Sequence, residues 1–285
     1  MKQILIISGK GGTGKTVVTG ALAALADNKV MVDCDVDAAN LYLLLDPAIK
    51  ERNEFRCGAT AEIDASRCTR CDRCRTLCRF DAITKDFRVD PVSCAGCGLC
   101  QLACPSDAIT MQENVSGEWF VSETRFGPFV HARLGIAEEN SGKLVTLIKQ
   151  KAKDMAEEQK RDWMIIDGAP GIGCPVIASL AGVDRALVVT EPTVSGLHDA
   201  QRVIEVARHF NVKVWIVINK YDLNKDMTET ICAYARKQDI DVIGQIPFDP
   251  RVVSAMTSGK TVIEEDDSPA RRVLIGLWDH VRACA

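Results

Sequence analysis

An α/β fold is what this sequence predicts: a mostly parallel sheet covered on both faces by helices, with a small α+β segment inserted in its first third. Three observations predict it. Short apolar runs alternate with helix-length amphipathic stretches along most of the chain, the pattern of strands buried on both faces. A glycine-rich loop joins the first apolar run to the first helix. Eight of the 13 cysteines crowd between Cys68 and Cys104, where composition shifts abruptly to Cys and Arg.

Gln3 to Ser8, with ILII at its centre, reads as a buried strand, Thr16 to Ala26 as an Ala/Leu-rich helix, and Val30 to Val32 as a second strand ending in acidic residues. Glu51 to Glu62 is mixed and polar and marks a domain boundary. The expected division is 1–56 with 112–285 in one domain and 57–111 in the insert. Within the insert a 26-residue repeat sets SRCTRCDRCRTLCRFDAIT against VSCAGCGLCQLACPSDAIT, with Cys68 over Cys94, Cys78 over Cys104 and Asp81 over Asp107. Such a duplication folds as a pseudo-twofold pair. Beyond Met111, Trp119 to Val121 and Phe129 to His131 flank Gly127-Pro128 as a hairpin or loop. A helix over Gly142 to Ala156 precedes a third strand, Trp163 to Ile166, that ends at Asp167. GAPGIG and a helix from about Val176 follow. Strands at Ala186 to Val189 and Val214 to Ile218 then alternate with helices at Asp199 to His209 and Thr228 to Lys237.

Composition narrows the classes of function. The chain has 285 residues, 47% hydrophobic and 26% charged, which suits a globular protein and argues against disorder. A formal net charge of −4 gives no general attraction to nucleic acid or anionic lipid. No apolar run reaches the ~20 residues of a membrane span and no leader precedes the first strand, so a cytoplasmic protein is expected. In a reducing compartment 13 cysteines point to metal rather than to a disulfide framework.

Gly9-Lys10-Gly11-Gly12-Thr13-Gly14-Lys15-Thr16 matches G-x-x-x-x-G-K-[ST] between a strand and a helix. Its glycines let successive N–H groups turn toward phosphate oxygens at a helix N-terminus. Lys15 is expected on the β- and γ-phosphates and Thr16 on Mg²⁺. Glycines alone also make turns that bind nothing. Strand, loop, helix and downstream acidic strand ends together favour a P-loop NTPase.

Cys68, Cys71, Cys74 and Cys78, and again Cys94, Cys97, Cys100 and Cys104 before Pro105, follow C-x2-C-x2-C-x3-C. This is bacterial two-cluster ferredoxin spacing, in which the fourth cysteine serves the other cluster. One 4Fe-4S cluster is therefore expected on Cys68, Cys71, Cys74 and Cys104, and a second on Cys78, Cys94, Cys97 and Cys100. Zinc is the alternative for C-x2-C pairs, but it favours two separated pairs over runs of four. Arg79 stands where the second run has Pro105. Arg67, Arg70, Arg73, Arg75 and Arg79 crowd the first run, either favouring the reduced state or an acidic partner, or simply forming a solvated face.

The second lysine of the loop, Lys10, resembles the deviant loop of the MinD/ParA superfamily of ATPases, and the likeness extends over MVDCDVDAANL and WMIIDGAPG. The resemblance implies that Lys10 crosses a dimer interface to the partner's nucleotide and that Asp35, with Asp33 just before it, polarises the attacking water. It further implies that Asp167 holds the Mg²⁺ shell, that Gly171 is the switch glycine, and that Asn219 and Pro247 lie around the adenine. Cys174, seven residues past Asp167, is placed like a cluster ligand of the nitrogenase iron protein, a relative whose dimer shares one cluster. Asn140 stands near where the second cysteine is expected. Cys174 reads first as a small buried residue at a helix start, and otherwise as an additional cluster ligand between subunits.

EPTVSGLHDAQRV, HARLGIAEENSGKLV and GAPGIGCPVIASL are similar to ferredoxin-containing ATPases of the same superfamily. That likeness implies Mg-dependent ATP hydrolysis and ATP-gated pairing, with itself or with a paralogous ATPase. It also implies a redox or metal-cluster-binding partner and coupling to electron transfer or metal–sulfur assembly. Alternatives are a cluster carrier or scaffold released by ATP, and a MinD-like spatial organiser that senses redox state. The helix expected over Ser268 to Cys284 sits where MinD has a membrane tail. Packing on its own domain is the other reading, and neither membrane nor nucleic acid is an expected partner.

Overall fold

A computed structural model describes residues 1–135 and 140–284; Ile136 to Glu139, within HARLGIAEENSGKLV, lie outside the described residues. The chain forms two compact units, one of Met1–Asn53, Glu118–Leu134 and Ser141–Ala285, the other of Glu54–Gly117 and Gly135–Asn140.

The strands are β1 (Lys2–Ser8), β2 (Lys29–Asp33), β3 (Ala48–Ile63), β4 (Ile109–Thr124), β5 (Gly127–Leu134), β6 (Trp163–Pro170), β7 (Arg185–Thr190), β8 (Lys213–Asn219) and β9 (Asp241–Ile246). The helices are α1 (Lys15–Leu25), α2 (Tyr42–Leu45), α3 (Arg73–Leu77), α4 (Leu99–Leu102), α5 (Ser141–Glu158), α6 (Cys174–Leu180), α7 (Val194–His209), α8 (Lys225–Lys237), α9 (Pro250–Thr257) and α10 (Pro269–Cys284). Strand order is β3-β4-β5-β2-β6-β1-β7-β8-β9. From β5 through β9 the described pairings are parallel. The central strands are apolar and buried on both faces, as a sheet between helix layers requires.

In the first unit, Ile4, Ile6, Met31, Ile165 and Leu187 of the sheet pack against Val18 and Leu22 of α1 and against Leu274, Leu277, Trp278 and Val281 of α10. The apolar stripe of α10 is thus spent on its own core. Truncating one such buried leucine costs about 2–5 kcal/mol. No described helix is long and apolar enough to cross a membrane.

Glu51 to Glu62, expected as a polar boundary, lies inside β3. The reason is a period-2 pattern: Phe55, Cys57 and Ala61 are buried while Glu54, Arg56 and Glu62 are exposed. Charged outward residues concealed the strand. β4 likewise reaches from the end of the cysteine repeat to the hairpin turn at Arg125 and Phe126.

The second unit carries the repeat in its backbone. α3 and α4 start 26 residues apart, each after a left-handed residue, Asp72 (φ 66°) and Gly98 (φ 73°), and Asp81 (φ 51°) mirrors Asp107 (φ 48°). Its small core joins Ala61, Cys74, Ile83 and Ile109, with Cys78, Cys94, Cys100 and Cys104 packed against it.

Candidate functional site

Strand register builds the first site. Asp167 of β6 pairs with Asp33 of β2 on one side and with Ile6 of β1 on the other. Two carboxylates therefore meet at the carboxyl ends of the central strands, where β1 runs into the glycine loop. Cys34 N–H donates to the Asp167 carbonyl at 2.7 Å, fixing the chain that carries Asp35.

α1 starts at Lys15 directly after Gly14 (φ 95°). Lys15 Nζ lies 3.0 Å from Asp167 Oδ1 and 3.4 Å from Asp35 Oδ2. Burial pulls the ammonium toward its neutral form, but Asp167, Asp33 and Asp35 outweigh burial and its pKa is raised. Burial raises Asp35, against the opposing pull of Lys15. Asp33, fully buried with Asp167 beside it, is pushed up to about 8, although its carboxylate accepts from Asp35 N at 3.0 Å and Leu41 N at 3.3 Å. Thr16 Oγ1 donates to Asn40 Oδ1 at 3.0 Å and lies 3.4 Å from Asp167 Oδ2.

Lys15, Thr16, Asp35 and Asn40 face a cavity of about 400 Å³ lined also by Gly11, Gly12, Asn219 and Pro247, a volume suited to a small ligand; Asp33 and Asp167 lie buried behind them. The far wall of the cavity is apolar, with Phe248, Val252, Val253 and Met256. Among the described residues the buried Thr13 hydroxyl at the loop has no hydrogen-bond partner. Gly9 packs on α7 so closely that a Cβ would lie 2.3 Å from the Asp199 backbone. Gly171 (φ 89°) donates its N–H to the Ser8 carbonyl at 2.9 Å.

Lys10 points elsewhere: its ammonium is 2.7 Å from Glu191 and 3.2 Å from Ser195 Oγ. Cys174 is exposed at the start of α6, with Gly142 of α5 so near that a Cβ on that glycine would lie 3.2 Å from Cys174 Cβ. Asn140 is exposed in a left-handed conformation (φ 75°).

Sequence reasoning passed over Thr19, whose hydroxyl donates to Asp167 at 2.8 Å, and Asn40. Thr19 follows Thr16 by three residues on one helix face, a signal that was available. It also missed Lys149. That buried ammonium donates to the carbonyls of Ala178 (3.3 Å), Ser179 (2.6 Å) and Ala181 (2.8 Å), and burial lowers it to about 8. It closes the end of the helix that starts at Cys174.

The eight clustered cysteines line two cavities in the second unit. One holds Cys68, Cys71, Cys74 and Cys104 with Ile63, Phe87 and Ile109; the other holds Cys78, Cys94, Cys97 and Cys100 with Ile83, Val89 and Met111. Cys104 Sγ accepts from Ala108 N at 3.3 Å and lies 3.6 Å from Ser106 Oγ. Burial pushes its thiol up, yet these bonds prevail and its pKa is lowered. Among the described residues no three His, Cys, Asp or Glu side chains are gathered closely enough to hold one metal ion. Each cavity instead gathers four thiols, soft sulfur donors, beside apolar side chains.

The family model of the CobQ/CobB/MinD/ParA nucleotide binding domain matches residues 4–262. The uncharacterized protein MJ0578 of Methanocaldococcus jannaschii is 43% identical over 225 residues, covering 78% of this chain and 79% of that protein. The septum site-determining protein MinD of Bacillus subtilis is 25% identical over 272 residues, 92% of this chain and 81% of its own. Among solved structures, the Pyrococcus furiosus cell division ATPase MinD superposes with a TM-score of 0.61 at 20% identity, covering 100% of this chain and 99% of that one. MinD of Pyrococcus horikoshii complexed with Mg-ADP gives 0.61 at 20% identity, covering 98% and 95%.

Proposed function

The chain belongs to the CobQ/CobB/MinD/ParA nucleotide-binding family, and from that premise we propose that it is an ATP-binding and ATP-hydrolysing iron–sulfur protein. Nucleotide-gated pairing of two subunits is coupled to electron transfer, or to metal–sulfur assembly on a partner. One observation carries the reading: eight cysteines sort into two cavities of four, with Cys104 and Cys78 exchanged between the runs, in a chain that also has a P-loop facing a nucleotide-sized cavity.

In this reading the N–H groups of Gly11 to Lys15 cradle the phosphates, and Lys15 turns from Asp167 toward the β- and γ-oxygens. Thr16 and Asp167 hold Mg²⁺. Asp35 orients the attacking water, and Lys10 leaves Glu191 to reach the partner's nucleotide. Gly171 lets the following loop move with the γ-phosphate, and Asn219 and Pro247 border the base. The Mg-ADP complex of a structural neighbour supports the choice of ligand. Bound 4Fe-4S clusters supply one-electron chemistry. Cys68, Cys71, Cys74 and Cys104 hold the first, Cys78, Cys94, Cys97 and Cys100 the second, in a ferredoxin-like unit, and Cys174 stays a candidate for a further shared cluster.

Anaerobic purification with iron and sulfide counting tests the redox half. Roughly eight of each per chain are expected for two such clusters; colourless or zinc-bearing material sinks that half and leaves a nucleotide switch. A Mg-dependent ATPase assay tests the other half. A second reading, drawn from the likeness to MinD, is a spatial organiser that senses redox state, for which ATP-dependent binding to liposomes is required.

A further inference from the structure

One arginine borders each cysteine cavity, Arg73 the first and Arg79 the second, but three arginines of the first run have no counterpart in the second, and the repeat makes the comparison internal. Arg67, Arg70 and Arg73 occupy the positions of Ser93, Gly96 and Leu99, 26 residues on. The second copy builds its cavity without them, so the local fold does not need these charges. Arg70 is even placed against backbone preference. It is left-handed (φ 53°), as Gly96 is (φ 64°), and a side chain there costs roughly 1 kcal/mol that glycine avoids.

All three arginines are exposed, as is Cys71 between them, and Arg73 lines the cavity with Cys71. Among the described residues none of the three makes an ion pair; Arg67 reaches only the Ser106 carbonyl, at 3.4 Å. The nearby Asp72 is already taken by Arg75, which donates to both its oxygens at 2.6 Å. Asp64 feels the charge of Arg67, and Asp107 lies close enough to act on Cys104 of the same cavity. Arg73 thus borders the cavity beside Cys71, with Arg67 and Arg70 exposed within four residues of that cysteine, while Cys97 is flanked by Gly96, Gly98 and the exposed Leu99.

We propose that the face formed by Arg67, Arg70 and Arg73 around Cys71 docks an acidic one-electron carrier protein. This deepens, and rests on, the iron–sulfur reading above. Charge complementarity steers such encounters and sets their salt dependence more than their final affinity, which suits a carrier that must come and go. An acidic protein is favoured over nucleic acid because the patch is compact and centred on a cysteine rather than extended along a groove.

The test uses the full chain purified without oxygen, its iron counted, and a fluorescently labelled acidic ferredoxin as probe. Binding that weakens at least tenfold from 20 to 300 mM salt is expected, as is a tenfold loss at low salt in the variant R67S/R70G, which copies the second repeat. Stopped-flow reduction by the same ferredoxin should slow in parallel, whereas reduction by the cationic methyl viologen radical should not slow. Iron-loaded protein whose ferredoxin binding ignores both salt and the substitutions overturns the proposal and leaves the cluster reading intact. Tighter binding of duplex DNA than of ferredoxin to the same arginines also overturns it. Iron-free protein overturns both.

Discussion

Asn219 braces the phosphate loop from the end of β8: its amide donates to the Thr13 carbonyl at 2.8 Å, and it lies where a Cβ on Gly14 would come within 2.1 Å. The left-handed Gly14 and the Asn219 amide therefore fit only each other. Asn219 also lines the cavity, so bracing the loop and bordering a base are compatible roles.

Gly14→Ala should abolish nucleotide binding, through both the clash and the positive φ. Asn219→Ala removes one hydrogen bond, about 0.5–1.5 kcal/mol, and should weaken ATP binding roughly two- to tenfold. Calorimetric titration with ATP measures both; full affinity in Gly14→Ala would show that the loop does not close on phosphate.

Lys15 is the counter-charge for Asp167 and Asp35 and the proposed phosphate ligand. Lys15→Ala should eliminate ATP binding and leave buried carboxylates unpaired, with a loss of stability on the order of 3 kcal/mol. Asp35→Ala should keep ATP affinity within a few-fold and lower turnover at least a hundredfold. Equal turnover in the Asp35 variant and the parent would mean that another group positions the water.

The exchange of Cys104 and Cys78 between runs separates two otherwise similar triple variants. Replacing Cys68, Cys71 and Cys104 by alanine removes thiols from one cavity only and, on the proposed iron–sulfur reading, should leave about half the iron. Replacing Cys68, Cys71 and Cys78 damages both cavities and should leave less. The reverse order by colorimetric assay, with more iron left in the variant lacking Cys68, Cys71 and Cys78, would argue that each run holds its own cluster.

His131 stacks between Phe120 and Phe129, ring centroids 4.9 and 4.5 Å away, within hydrogen-bond distance of Ser122 at 3.1 Å. Burial, with a smaller push from Arg133, lowers its pKa from 6.5 to about 4. Between those values the unfolded chain takes up a proton that the folded chain refuses, so stability falls as pH drops through that window. The urea midpoint should decline from pH 7 to pH 5. His131→Phe should start lower, having orphaned Ser122, yet decline less steeply; an unchanged slope would assign the pH response to other groups.

Much of this protein was legible as local pattern. The glycine loop, the central strands, the 26-residue repeat and the C-terminal helix each rest on near neighbours in the chain, whose spacing dictates backbone shape directly. β3 was not, because charged residues on its outward face masked the alternation of Phe55, Cys57 and Ala61.

Sequence by itself determined which chemical groups are present and how they repeat: one phosphate-type loop, eight cysteines in two runs, five arginines in only one of them. Tertiary structure alone decided their company. The register that sets Asp33 beside Asp167, the hydroxyl of Thr19 on that carboxylate, the cap of Lys149 on α6, and the hold of Glu191 on Lys10 all join residues far apart in the chain. Such pairings depend on how strands and helices pack, and no local spacing encodes them.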